Sequence, residues 1–116
     1  MSVQRLHTET LYSEIVVHNG TVYLAGQLAD DYDGDIERQT RETLANVERL
    51  LAEADSDKSR LLSVTIYLKD MADYAAMNAV WDAWVAPGSA PARACVAAAL
   101  YDPRILVEMT VVAAQS

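Results

Sequence analysis

Apolar residues change their spacing several times along this chain, and each change marks an element. In Ile15-Val16-Val17-His18-Asn19-Gly20-Thr21-Val22-Tyr23-Leu24-Ala25 they crowd both sides of Asn19-Gly20. Asn-Gly favours positive φ, so the pattern predicts two short strands around a tight turn. Gly26-Gln27-Leu28 then leads into an acidic loop, Asp30-Asp31-Tyr32-Asp33-Gly34. From about Ile36 to Ala54 the apolar positions Ile36, Leu44, Val47, Leu50, Leu51 and Ala54 return at helical steps, with Thr40 and Thr43 in the same stripe. Asp33 or Asp35 can cap this helix, while Glu37, Arg38, Arg41, Glu42, Glu48, Arg49 and Glu53 read as its solvated face. The run Leu61–Leu68 is rich in β-formers and predicts a third strand.

A second helix is expected over about Ala72–Val85, capped by Asp70 or Asp73 and stopped by Ala86-Pro87-Gly88. Tyr74, Met77, Trp81 and Trp84 form one stripe on it, and Asn78 lies beside them. At that spacing the tryptophans read as core or interface. Two more strands, 92–100 and 105–113, are joined by Tyr101-Asp102-Pro103-Arg104. The predicted order is β-β-α-β-α-β-β, an α+β fold with two helices packed on one face of a mixed β-sheet. The strands at 61–68, 92–100 and 105–113 are apolar at both parities, so both sheet faces want cover. Two helices cover one face. The other is expected to be an association surface in a closed homo-oligomer.

At 116 residues the chain is read as a single domain, 1–116, large enough to bury a core without staples. One cysteine excludes an internal disulfide, and His7 and His18 are too isolated to suggest a metal site. No cofactor is expected. The net charge of −8 disfavours nucleic-acid binding, because Arg38, Arg41, Arg49 and Arg60 are interleaved with acids. No apolar run approaches the roughly 20 residues that span a bilayer, and no signal pattern opens the chain. A cytoplasmic protein with no membrane partner is the expectation.

Two charges stand out from this background. Arg93 lies in Ala90-Pro91-Ala92-Arg93-Ala94-Cys95-Val96-Ala97, otherwise small and apolar. Glu108, fifteen residues on, is the only charge in Ile105–Ala114. Stripping an unpaired ion of water costs several kcal/mol or more, so charges in such strands are paired or used. One guanidinium and one carboxylate make a candidate site for a small carboxylate-bearing substrate. The competing reading is a structural ion pair, between the two or across a subunit interface.

Along nearly its whole length the chain resembles the YjgF/RidA family of small enamine and imine deaminases. The resemblance rests on Val22-Tyr23-Leu24-Ala25-Gly26-Gln27, Asp35-Ile36-Glu37-Arg38-Gln39-Thr40-Arg41, Val64-Thr65-Ile66-Tyr67-Leu68-Lys69-Asp70, Asp73-Tyr74-Ala75-Ala76-Met77-Asn78, Pro91-Ala92-Arg93 and Val107-Glu108, in that order. It implies a homotrimer similar in fold to the small trimeric chorismate mutases, with active sites between subunits. It also implies hydrolysis of 2-imino or enamine acids to 2-keto acids and ammonia, as in 2-iminobutanoate/2-iminopropanoate deamination. By the same resemblance Arg93 anchors the substrate carboxylate, Glu108 handles water, and Tyr12, Gly26, Asn78 and Cys95 line the pocket. The family often has Ser where Ala25 stands, and Trp81-Asp82-Ala83-Trp84-Val85-Ala86-Pro87-Gly88 resembles one branch of it.

Each of these residues also has a plainer role. Glu108 could simply partner a buried arginine. Cys95 has no base placed beside it in sequence, so a pocket wall suits it better than a nucleophile. Asn78 could bond backbone rather than substrate, and Tyr12 could merely pack. Gly26 could admit a ligand to the backbone or mark a bulge. Three other functions compete: a non-catalytic trimer that senses a keto or amino acid, an RNA-cleaving activity, and chorismate-mutase-like chemistry. The acidic charge counts against the second, and fold alone is weak support for the third.

Overall fold

A computed structural model describes residues 2–116. Six strands form one mixed sheet: β1 (Gln4–Thr8), β2 (Ser13–His18), β3 (Thr21–Gln27), β4 (Leu61–Leu68), β5 (Ala92–Ala97) and β6 (Val107–Ala114). Their spatial order is β1-β2-β3-β6-β4-β5. Only β4 and β5 run parallel, and the other neighbours are antiparallel. Two helices, α1 (Ile36–Glu53) and α2 (Tyr74–Trp84), lie beside each other, and α1 crosses β3 and β6. The two helices on one face of a mixed sheet are as expected.

The strand the sequence reading missed is β1. Leu6 is its only apolar residue and its other four positions are exposed, so it carries no alternation to detect. Its backbone pairing with β2 decides it instead, with Gln4 opposite Val17 and Thr8 opposite Ser13. The hairpin at Asn19-Gly20 forms as predicted, both residues having positive φ.

Asp35 caps α1, its Oδ1 accepting from the Arg38 amide at 2.9 Å. Thr40, Thr43, Leu44, Val47, Leu50 and Leu51 are buried along the predicted stripe. Gln39 is fully buried as well, which polarity had hidden. Its Nε2 donates to the carbonyls of Tyr32, Gly34 and Arg104, and its Oε1 accepts from the Leu106 amide at 2.9 Å. One amide thus ties the acidic loop to the chain leading into β6. A short 3₁₀ turn, Met71–Asp73, opens on Asp70, so α2 starts two residues later than its spacing predicted.

Residues level across a ladder point to the same side of a sheet. Ile15, Leu24, Val111, Val64 and Arg93 are level, and the first four are buried beneath the helices. The opposite face carries Val16, Tyr23, Thr65, Tyr67, Thr110 and Val112, none of them fully buried. The Cα envelope is only 20 Å along its short axis, the thickness of one helix layer on one sheet. The second face is therefore open in the single chain, as the two-parity pattern predicted.

Candidate functional site

Arg93 is on β5, the edge strand, and the structure corrects the idea that this strand is core. Five of its six residues are exposed. Arg93 continues a row of core side chains one position too far, where the helix layer no longer covers it. Its guanidinium lies against α2 instead. Nη1 donates to Asn78 Oδ1 at 2.8 Å, Nη2 approaches the Tyr74 hydroxyl at 3.4 Å, and Cζ lies 5.2 Å from the centre of the Trp81 ring. Ala75, Asn78, Ala79, Trp81, Asp82 and Arg93 line a shallow groove of about 440 Å³ at this edge.

Glu108 faces the other way. On β6 the residues Val107, Met109, Val111 and Ala113 are buried under the helices, so Glu108, Thr110 and Val112 point to the open face. Glu108 is level with Tyr67 on β4, and Tyr67 with Val96 on β5. Arg93 and Glu108 are thus two ladders (about 9.6 Å) and three residues (about 10 Å) apart, on opposite faces. A mutual ion pair within one chain is excluded. Neither makes a salt bridge to any described residue.

Gly26 explains how the Glu108 carboxylate is accommodated. Leu24 is opposite Val111 and Gln27 opposite Met109, so β3 has one residue more than β6 across this stretch. That is a bulge at Ala25-Gly26. A Cβ on Gly26 would come 2.0 Å from Glu108 Oε2. The glycine both marks the bulge and leaves the room that the carboxylate fills. Burial raises the Glu108 pKa above the usual carboxylate range.

Cys95 is level with Ile66 and on the helix side, packed against the core. Burial pushes its thiol pKa up and Arg93 pulls it down, with burial the larger effect. A protonated thiol is a poor nucleophile. Tyr12 lies in the β1–β2 connection and is half exposed, its carbonyl accepting from the Glu9 amide at 2.8 Å. The negative charges of Glu9 and then Glu14 raise its pKa.

The six predicted residues therefore fall into two groups in one chain. Arg93, Asn78 and Cys95 share the helix side of the β5 edge. Glu108 and Gly26 meet across the β3–β6 bulge, and Tyr12 precedes β2, the strand that pairs with β3. The sequence reading did not foresee Trp81 as a contact of Arg93. Its three-residue spacing from Asn78 was the available signal, since i and i+3 share a helix face. Among the described residues no group of three or more His, Cys, Asp or Glu could hold a metal ion. No described helix is long and apolar enough to cross a membrane.

A six-stranded mixed sheet with two helices on one face, an open second face and an edge arginine held by the second helix defines a small α+β class. The family model described as Endoribonuclease L-PSP matches residues 2–115. The Escherichia coli K12 RutC family protein YoaB is 43% identical, over 98% of this chain and 99% of that protein. A RutC family protein of Haemophilus ducreyi is 42% identical over 97% of this chain and 96% of its own length. The crystal structure of NMB1025 from Neisseria meningitidis, a member of the YjgF protein family, superposes with a TM-score of 0.97 at 45% identity, covering 100% of this chain and 97% of that one. An uncharacterised Pseudomonas aeruginosa protein superposes with a TM-score of 0.96 at 48% identity, over 99% and 100% of the two chains. The chain belongs to the YjgF/RidA family.

Proposed function

We propose that this protein is a cofactor-independent hydrolase that deaminates 2-imino acids, or their enamine tautomers, to 2-keto acids and ammonia. The observation that carries the proposal is the unneutralised Arg93 guanidinium, oriented by Asn78 and Trp81 at the mouth of a groove. A guanidinium fork binds a carboxylate through two parallel N–H···O bonds, a geometry lysine cannot copy. Family membership supports the same reading.

The proposed site is composite. Arg93 and Glu108 open on opposite faces, so a site containing both needs two copies of the chain. The open sheet face, with Tyr23 45% and Val96 44% exposed, supplies a surface on which copies can close as a homotrimer. In that assembly Arg93 of one copy, with Asn78 and Cys95, faces Glu108 of the partner subunit, with Gly26 and Tyr12.

The chemistry asks little beyond positioning. Arg93 fixes the substrate carboxylate, which sets the imine carbon at a defined distance from the anchor. Glu108, ionised, takes a proton from water as that water adds to the carbon of the nitrogen-protonated imine, giving the neutral carbinolamine. Glu108 returns that proton to the carbinolamine nitrogen, ammonia leaves, and the hydroxyl proton passes to the departing ammonia, giving the keto acid and ammonium. Water and the imine are the only reactants.

An amino-acid oxidase generating 2-imino acids, with semicarbazide trapping what is not hydrolysed, tests the activity. Less trapped product is expected with the wild type than with Arg93→Ala. No effect of the wild type on any imino acid would remove the deaminase reading and leave a keto-acid sensor at the same groove. The composite site has its own test. Arg93→Ala and Glu108→Gln chains, each inactive alone, are unfolded together and reassembled. Random mixing should return about a quarter of the native sites, because a site is intact only where a Glu108→Gln chain supplies Arg93 and an Arg93→Ala chain supplies Glu108. No recovery in mixed trimers would remove the shared site.

A further inference from the structure

The structure leaves the Arg93 anchor held by neutral groups only, among the described residues. An acidic partner would fix it more tightly. It would also occupy the N–H fork and cancel the charge that a substrate carboxylate needs. Asp82 lines the same groove, yet no carboxylate among the described residues comes within 4.0 Å of Arg93. The attraction comes from the Trp81 ring, 5.2 Å from Cζ, and from Asn78 Oδ1. A π face attracts a cation without accepting its in-plane hydrogens in hydrogen bonds, so those hydrogens stay available.

Trp81 is also fixed in place. It is only 7% exposed, belongs to the buried core cluster and packs on Trp84 at 5.4 Å between ring centres. Tyr74, Asn78 and Trp81 follow one another at four- and three-residue steps and so share one face of α2. That face forms a cradle whose rigidity comes from the core beneath it.

We propose that Trp81 is a positioning residue for the carboxylate anchor: its indole face holds the Arg93 guanidinium oriented and charged, and so sets the affinity for carboxylate-bearing ligands. The inference rests on the reading of Arg93 as the anchor. It goes further in assigning the strength of that anchor to a core residue of α2.

The test replaces tryptophan with fluorotryptophans of increasing fluorination in a Trp84→Phe background, where Trp81 is the one tryptophan. Fluorine drains the ring's negative face and changes its shape little. The dissociation constant for 2-oxobutanoate should rise stepwise along the series, reaching about fivefold, with kcat unchanged. A flat series overturns the proposal. In the otherwise native chain, Trp81→Phe should keep more 2-oxobutanoate affinity than Trp81→Leu. Equal losses would assign the effect to packing and also overturn it. Arg93→Ala is titrated in parallel. If that variant binds 2-oxobutanoate like the wild type, the anchor reading fails. If it loses binding while the fluorinated series stays flat, only the role of Trp81 fails.

Discussion

Arg93 and Glu108 look alike in sequence, each a lone charge in an apolar strand, yet the fold treats them in opposite ways. Arg93 is exposed on an edge strand and gripped by three side chains of α2. Glu108 is half-buried on an inner strand, with no hydrogen-bond or salt-bridge partner among the described residues, lodged in the space left by a glycine. The first is oriented with no carboxylate within 4.0 Å among the described residues, as the proposed carboxylate anchor requires. The second is partly desolvated, which raises its affinity for a proton. A charge on a strand says little until the face and the neighbours are known.

The strongest way to break the comparison is Glu108→Gln. The amide is nearly isosteric but cannot take a proton, so kcat should fall by about 10²–10⁴-fold while 2-keto-acid binding survives. Steady-state kinetics and calorimetric titration read the two halves. Full activity in this variant would remove Glu108 from the proton transfer.

Gly26→Ala acts on the same carboxylate without touching its chemistry. The new Cβ would lie 2.0 Å from Oε2, so the Glu108 side chain must move. A displacement of about 1 Å in a catalytic group costs on the order of 10²-fold. The loss should appear in kcat, and an unchanged kcat would show that Glu108 needs no fixed seat.

On the other side of the comparison, Arg93→Lys keeps the charge and loses the fork. The expected result is a KM increase of about tenfold with a smaller change in kcat. A kcat loss at unchanged KM would contradict a binding role.

The smallest effect sharpens the electrostatic contrast. The Glu108 pKa is raised in the folded chain, so the fold binds that proton more tightly than the unfolded chain does. The stability contributed by the proton is complete below the unfolded pKa and is lost as pH rises through the folded one. Glu108→Gln should therefore melt slightly higher than the wild type near neutral pH. The difference should vanish below about pH 3.5, where both states are largely protonated. Thermal melts across that range check it, and a destabilised Gln variant at neutral pH would mean that the carboxylate has an ionic partner in the assembly.

Much of this molecule was legible from residue order alone. Periodicity determined α1, α2 and the strands around Asn19-Gly20, because a buried stripe needs apolar residues at a fixed repeat. Two apolar parities determined that one sheet face would lack cover, and Arg93 and Glu108 were conspicuous because unpaired charge is costly away from water. Tertiary structure alone decided the rest. The edge strand β1 rests on backbone pairing, which leaves no side-chain pattern. The burial of Gln39 follows from satisfied hydrogen bonds in three dimensions, where a polarity scale predicts exposure. Above all, the separation of Arg93 from Glu108 depends on strand order and register. These are fixed by how six strands share one helix-covered face, a property of the packed sheet that no single segment contains.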